Sequence, residues 1–206
     1  MRLFYSPLCP WAQRARIVLA RTGQACELRS VDLGARDPEF LALCPTGRVP
    51  LLEDENGPLF ESFVICDYLA GKAGWRSAWA ADPYLQARER LLVAQWDGRV
   101  APAFYRSLRR PDDPGFDELS AELDFLEQTL ELADDGGGEL PPLLCAPHWV
   151  RMQWLDHRSG LASFLGARPR LRAWLDRAAA APEVVSTLPD RAEMIAHVER
   201  KFAPSA

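Results

Sequence analysis

The sequence lacks the features that would place the chain in a membrane or in a secreted, disulfide-bonded class. No run of about 20 apolar residues occurs, so no transmembrane helix is predicted. Met1 leads directly into strand-like residues, without the basic and apolar regions of a secretory signal. The odd number and scattered positions of the cysteines predict free thiols in a reducing cytoplasm. These cysteines are Cys9, Cys26, Cys44, Cys66 and Cys145.

An excess of basic charge and a metal-ligand pattern are also missing. The 29 acidic residues outnumber the 24 basic ones, which argues against a generic nucleic-acid or anionic-membrane binder. The three histidines show no zinc-site spacing, so no metal is expected, and His148 and His157 are expected only to cap or decorate a helix. No glycine-rich phosphate loop occurs, and Gly136-Gly137-Gly138 is predicted to be a flexible loop.

The pattern along the chain predicts an α/β unit followed by an all-helical unit. Strands are expected over Arg2 to Tyr5, Ala25 to Asp32, Val49 to Glu53 and from Leu59 after an Asn56-Gly57 turn, and helices over Pro10 to Thr22, Pro38 to Leu43 and Ser62 to Ala70. This order implies a mixed sheet with helices packed on it. The predicted domains are residues 1–75 and 84–206, with residues 72–83 as a linker that docks rather than floats.

In the second unit, strand signals nearly vanish and amphipathic spacing takes over. A long helix is expected from Pro83, with a kink at Pro102. The helix from Phe116 to Ala133 has an acidic second face, which we interpret as solvated. Further helices are expected around Trp149, from Pro169, and around Val198.

Cys9 lies where the first strand is expected to give way to a helix. A helix start presents unpaired N–H groups and partial positive charge, which favour the reactive thiolate. Pro10 fits the first helical position, because its missing N–H would have no partner there, and Arg14 and Arg16 add positive charge. Ala12 occupies the place of the second cysteine in a Cys-x-x-Cys motif, so the expected chemistry uses a single thiol. A buried structural cysteine is the alternative.

Several motifs together resemble the cytosolic glutathione transferase family, and in particular its cysteine-type, omega-like and related bacterial members. The segments that carry the resemblance are Ser6-Pro7-Leu8-Cys9-Pro10-Trp11-Ala12, Cys44-Pro45-Thr46-Gly47-Arg48-Val49-Pro50-Leu51-Leu52, Glu61-Ser62, and Leu171-Arg172-Ala173-Trp174 with Pro182. The resemblance covers nearly the whole chain. It implies a thioredoxin-like domain with a mixed four-stranded sheet, followed by a helical-bundle domain.

The resemblance also implies a site for glutathione as co-substrate. A cis Val49–Pro50 bond would turn the N–H and C=O groups of Val49 outward, where a peptide backbone could pair with them. Ser62 and the N–H groups of its helix would receive the γ-glutamyl carboxylate, Glu61 would receive the ammonium group, and Arg48 is a further binding candidate. The alternatives are a trans proline on an edge strand for Pro50, a simple N-cap for Ser62 and an exposed acid for Glu61.

Three positions depart from the family pattern. Cys44 stands where the family usually has Asn, and we favour a small packing residue over a second reactive thiol. Asp37 stands where omega-like members have a lysine that contacts glutathione. The late helix lacks the usual capping box, and Pro147 is expected to start that helix instead.

Three functions follow as alternatives. In the first, a thiol transferase, Cys9 attacks a disulfide substrate and glutathione resolves the mixed disulfide. In the second, Ser6 or the helix start activates glutathione to conjugate or isomerise a small electrophile, and Cys9 is a spectator. In the third, the chain is a non-catalytic binding protein that uses arginine clusters such as those around Arg106 and Arg170.

The acceptor substrate is expected in a cleft lined by Trp11, Phe104 and Tyr105, whose apolar faces suit an apolar compound. Ordinary core packing is the alternative for each of these aromatic residues. The resemblance further implies a two-fold homodimer.

Overall fold

The computed structural model describes residues 1–109, 116–131, 137–159 and 167–203. The chain forms two compact units. The first contains Met1–Arg76 together with Pro182–Pro189, and the second contains Ser77–Ala181 and the residues from Asp190 onward. A short segment from the late part of the chain therefore belongs to the first unit.

The first unit is a four-stranded mixed sheet with helices. Its strands are β1 (Arg2–Tyr5), β2 (Glu27–Ser30), β3 (Leu51–Asp54) and β4 (Gly57–Phe60), and its first three helices are α1 (Pro10–Thr22), α2 (Pro38–Leu43) and α3 (Ser62–Lys72). The sheet order is β2-β1-β3-β4, with β1 parallel to β2 and antiparallel to β3. The architecture expected for this unit is confirmed.

The central strands are buried because both carry apolar side chains into the core. Leu3, Leu51 and Leu52 have no exposed surface, whereas all four residues of the edge strand β2 are exposed. Helix α1 ends as predicted at Gly23, whose φ of 66° is a left-handed conformation that glycine adopts without a steric penalty.

The second unit is helical in its described residues. Its elements are α4 (Pro83–Gln95), a π-helical turn (Trp96–Val100), α5 (Ala101–Arg109), α6 (Phe116–Glu131), α7 (Leu140–Trp154), α8 (Asp156–Ser159), α9 (Pro169–Ala179) and α11 (Arg191–Lys201), while α10 (Pro182–Val185) belongs to the first unit. The π-helical turn lies just before Pro102, so the predicted long helix is interrupted slightly earlier than expected.

The segment predicted to be a linker is buried within the second unit at residues 78–80. Ala78, Trp79 and Ala80 are each at least nine-tenths buried. The Glu89 carboxylate accepts a hydrogen bond from the Ala80 N–H at 2.8 Å and another from the Gly138 N–H. Gly138 is therefore held against the linker and is not part of a flexible loop; Gly136 lies outside the described residues.

The acidic face of α6 is not simply solvated, contrary to the expectation. The carboxylates on this face bind partners on neighbouring elements. Hydrophobic packing of the other face of α6 places these carboxylates beside arginine side chains and beside the first N–H groups of another helix. The pairs are Glu118 with Arg106, Glu122 with Arg99, Asp124 with Arg168, and Glu127 with the backbone N–H groups of Arg170 and Leu171. Arg168 is only 4% exposed, so it is an internal ion-pair partner.

Two expectations for α7 are wrong. Pro147 lies inside the helix, which begins at Leu140 because the N–H groups of Glu139 and Leu140 already find carbonyl partners on Ser77 and Ala78. His148 does not decorate the helix surface but is fully buried, with its ring edge-on to Tyr105 at a centroid distance of 6.1 Å. Burial on both sides of α7 makes it the central helix of its unit.

The β3–β4 hairpin is tied to the end of α3 by an ion pair. Lys72 Nζ donates to Asp54 Oδ2 at 3.0 Å, and the side chain of Asp54 is almost fully buried. The hydrogen bond from Lys72 is the main cause that holds the pKa of Asp54 below its ordinary value. Because the folded-state pKa is lower than the unfolded one, this pair stabilises the fold above about pH 4 and less as the pH falls through the folded-state value.

We therefore expect replacement of Lys72 by Met to lower the urea midpoint at pH 7, with the difference from wild type shrinking as the pH falls from about 5 to 3. Urea unfolding measured at several pH values checks this. Lys201→Met is the matched control. Lys201 is the only other lysine in the sequence, and its Nζ lies over the ring of Phe202. A difference between wild type and Lys72→Met that stays constant with pH would contradict the role given to Asp54.

Candidate functional site

Cys9 sits at the N-cap of α1, immediately after the turn that follows β1. Its backbone N–H donates to the Ser6 carbonyl at 3.0 Å, and its own carbonyl accepts from the Gln13 N–H at 3.0 Å. Pro10 occupies the first helical position, as predicted. The thiol is half-buried, and its Sγ lies 3.8 Å from the Val49 carbonyl oxygen. Cys9 is thus placed at a helix start and faces the segment before β3.

That segment contains the Val49–Pro50 bond, which is cis, as the resemblance implies. Pro50 is buried, Val49 is half-buried, and Arg48 is exposed. The Arg48–Val49–Pro50 segment and Cys9 therefore form one local group in the first unit.

The second local group is Glu61-Ser62, at the start of α3. Glu61 is the N-cap, is exposed, and has a φ of 70°, which is unusual for a residue other than glycine. Ser62 is the first helical residue and Glu61 is the N-cap, so the alternative of a simple N-cap for Ser62 is wrong. Strain of this kind costs of order 1–3 kcal/mol and tends to persist at ligand-binding positions.

Helix α1 connects the two local groups. Cys9 at its start contacts Val49, and one turn later the guanidinium of Arg14 donates to the Ser62 hydroxyl at 3.3 Å. Arg14 has no exposed surface and Ser62 is 6% exposed. The sequence indicates only that Arg14 adds positive charge near Cys9; its contact with Ser62 depends on how α1 packs against α3.

Two of the departures from the family pattern have local structural roles. The Asp37 carboxylate accepts from the Glu39 N–H at 2.7 Å and so caps α2. Cys44 is fully buried and packs beside Phe40 and Leu51 in the core of the first unit. The preference for a packing residue over a reactive thiol at Cys44 agrees with this burial.

The three aromatic residues predicted to line the acceptor pocket fall into different environments. Phe104 is fully buried, with its ring 5.4 Å from the ring of Tyr105, while Tyr105 is half-buried. Trp11 is half-buried on α1 in the first unit. Ser6 is half-buried and contributes its carbonyl to the turn before Cys9.

Two kinds of feature are absent from the described residues. No helix in them is both long enough and apolar enough to cross a bilayer. Within the same residues, no group of three or more His, Cys, Asp or Glu side chains is arranged to hold a metal ion.

Comparisons with known proteins agree with the geometry. Residues 3–77 match the family model described as the N-terminal domain of glutathione S-transferase. The chain is 30% identical over 181 residues to mouse glutathione S-transferase omega-1, covering 85% of this chain and 75% of that protein.

Solved structures show the same fold. The glutathione transferase Omega 1C of Trametes versicolor superimposes with a TM-score of 0.84 over 98% of this chain and 96% of that chain, at 20% identity. A rice GST crystallised in complex with glutathione has a TM-score of 0.83 and 25% identity, and the match covers 100% of this chain and 97% of that chain.

Proposed function

Because the chain belongs to the glutathione S-transferase family and its relatives include omega-class enzymes, we propose that it is a glutathione-dependent thiol transferase that works through a mixed disulfide on Cys9. The observation that carries the proposal is the position of this thiol at a helix start. Backbone N–H groups and the helix dipole favour the thiolate there, and the thiolate is the attacking form. Ala12, where a resolving cysteine would stand, leaves resolution to an external thiol.

The proposed reaction takes two thiol–disulfide exchanges. The Cys9 thiolate attacks the glutathione sulfur of a glutathionylated substrate, a sulfur–sulfur bond forms, and the substrate leaves as a thiolate that takes up a proton. A second glutathione, as thiolate, then attacks the mixed disulfide, which releases glutathione disulfide and regenerates the Cys9 thiolate. The substrate disulfide is reduced, and the incoming glutathione is oxidised.

Glutathione would be held by the two local groups on either side of α1. The backbone of Val49 would pair with the peptide of glutathione, with Pro50 fixing the segment and Arg48 adding positive charge at the surface. Glu61 would receive the γ-glutamyl ammonium group, and Ser62 with the first N–H groups of α3 would receive the carboxylate. The positive φ of the exposed Glu61 supports this role, because backbone strain of this kind tends to occur at ligand-binding positions.

Glu61 offers a test that separates binding from stability. We expect Glu61→Gly to raise the free energy of unfolding by about 1 kcal/mol, because glycine accepts the positive φ, and to weaken glutathione binding by at least about tenfold through loss of an ion pair. Calorimetric titration and urea unfolding measure the two effects. Glu55→Gly in the exposed β3–β4 turn serves as a control, and glutathione affinity unchanged by Glu61→Gly would remove Glu61 from the site.

One observation favours conjugation or isomerisation of a small electrophile as a second candidate. The Cys9 thiol donates toward the Val49 carbonyl, and this contact stabilises the protonated sulfur. In that mechanism glutathione supplies the thiolate, Ser6 or the helix start stabilises it, and Cys9 is a spectator. Reduction of a glutathionylated peptide by wild type but not by Cys9→Ser selects the first candidate; no binding of glutathione at all would select a non-catalytic binding role.

We also propose that the protein acts as a two-fold homodimer. Each unit exposes large apolar side chains, with Phe60 and Val64 in the first and Tyr84 and Leu91 in the second. A second copy would remove this surface from water. Sedimentation equilibrium is expected to give twice the chain mass of 23.1 kDa, and Leu91→Glu should shift the protein toward monomer; a wild-type monomer at micromolar concentration would contradict the proposal.

A further inference from the structure

The loop between α2 and β3 is organised around the buried thiol of Cys44. Three hydrogen bonds close a ring through this loop. The Arg48 N–H donates to Thr46 Oγ1 at 3.4 Å, Thr46 Oγ1 lies 3.2 Å from Cys44 Sγ, and Cys44 Sγ donates to the Arg48 carbonyl at 3.4 Å. Since the thiol proton goes to the Arg48 carbonyl, the Thr46 hydroxyl is the donor in the middle contact. With this assignment, the Arg48 N–H, the Thr46 hydroxyl and the Cys44 thiol each donate one hydrogen bond within the ring.

The ring acts on one particular peptide group. The carbonyl of Arg48 and the N–H of Val49 belong to the same planar peptide, so a bond that fixes the carbonyl also fixes the direction of that N–H. The next carbonyl along the chain, that of Val49, is the one that Cys9 Sγ approaches at 3.8 Å. The Cys44 thiol is therefore one peptide away from the contact with Cys9.

Two further hydrogen bonds between described residues hold the part of the loop that precedes Arg48. The Gly47 N–H donates to the Cys44 carbonyl at 2.9 Å, and Arg36 Nε donates to the Gly47 carbonyl at 2.9 Å. Both contacts lie before Arg48. Thr46 and Arg48 are exposed, whereas Cys44 has no exposed surface, so the thiol anchors two exposed residues to the core.

We propose that Cys44 is a positioning residue for glutathione: its thiol orients the Arg48–Val49 peptide so that the Val49 N–H points at the backbone of the bound tripeptide. This inference rests on the proposed function, and it gives Cys44 a role beyond packing. Preorganisation of this donor lowers the cost of ordering the loop when the ligand binds. The effect is on binding, because Cys44 does not touch the reacting sulfur.

The test is the affinity for S-methylglutathione, a probe that cannot form a disulfide, measured by calorimetry. Cys44→Ala is expected to bind about three- to tenfold more weakly than wild type, and Thr46→Val to show a similar loss, because either change opens the ring. The double variant should be no weaker than either single one, since the ring is already open. Cys44→Ser restores a hydroxyl donor and acceptor and should bind within about twofold of wild type.

A matched control and a second readout separate positioning from general destabilisation. Cys145 is also fully buried but lies in the second unit, so Cys145→Ala removes the same atom away from the loop. In the exchange reaction, Cys44→Ala should raise the KM for glutathione with kcat nearly unchanged. Amide hydrogen exchange at Arg48, followed by NMR without ligand, should be faster in Cys44→Ala and unchanged in Cys145→Ala.

The binding results distinguish a failure of the proposed function from a failure of the role given to Cys44. No binding of the probe to wild type would overturn the proposed function. Binding by wild type together with equal binding by Cys44→Ala, or an equal loss in Cys145→Ala, would overturn only the role of Cys44. Failure of Cys44→Ser to recover affinity would also overturn it, because the ring needs only a donor and an acceptor at this position.

Discussion

The Cys9→Ser variant is expected to lose mixed-disulfide reduction by more than about 100-fold while still binding glutathione. A serine hydroxyl remains protonated where a thiol at a helix start ionises, so the nucleophile of the first exchange is lost. Binding survives because the contacts proposed for glutathione come from other residues, such as Val49 and Ser62. The measurement is the rate of glutathione disulfide formation from a glutathionylated peptide, together with calorimetric titration of glutathione.

Cys26 supplies the control for this experiment. It is half-buried like Cys9, but it precedes a strand, and burial is the main cause that raises the pKa of its thiol above the ordinary value. A protonated thiol is a poor nucleophile, so Cys26→Ser should retain wild-type exchange activity. Full exchange activity in Cys9→Ser would contradict the mixed-disulfide mechanism. If Cys9→Ser also retains activity toward an aryl halide, the conjugation mechanism is favoured.

The Gly138→Ala variant is expected to lose about 3 kcal/mol of unfolding free energy. A Cβ at this position would lie 2.5 Å from Trp79 Cα and 2.7 Å from the Trp79 carbonyl carbon, and it would also meet the Ala78 carbonyl oxygen. All three are backbone atoms, which cannot rotate away as a flexible side chain can. The linker would have to separate from the start of α7, which would also stretch the hydrogen bonds that converge on Glu89.

A glycine-to-alanine substitution at Gly71 should instead raise the free energy of unfolding. Gly71 lies within α3, and a Cβ there meets no atom within 4 Å, so Gly71→Ala should gain about 0.5–1 kcal/mol through helix propensity. Urea unfolding of both variants provides the comparison. Equal stability of Gly138→Ala and wild type would show that the linker can move aside, and would contradict the tight packing of Trp79 on residue 138.

Local signals in the sequence were sufficient for most elements of the first unit. Pro10 and Gly23 bracket α1 because one lacks a donor that a helix start does not need and the other accepts a left-handed φ. Pro38 likewise marks the start of α2, since it occupies the first helical position. Such signals act within a few residues, so they can be read without knowing the fold.

Features that depend on partners distant in the chain cannot be predicted from local sequence. Pro147 carries a helix-start signal, but the start of α7 is fixed by carbonyls of Ser77 and Ala78, about sixty residues earlier in the chain than the N–H groups they accept from. The acidic face of α6 looks solvated until packing brings Arg99 and Arg168 beside it. The glycine run at residues 136–138 looks like a loop, yet the Gly138 backbone packs against Trp79.

The sequence by itself determined the identity of the chemical groups: a single thiol at a strand-to-helix turn, a Val-Pro pair before a strand, and a Glu-Ser pair before a helix. Only the tertiary structure decided how these groups meet, because their contacts join residues about forty to fifty positions apart through the packing of α1 on α3 and of the loop on α1. The same packing gave Arg14 its partner Ser62, which a local pattern cannot specify.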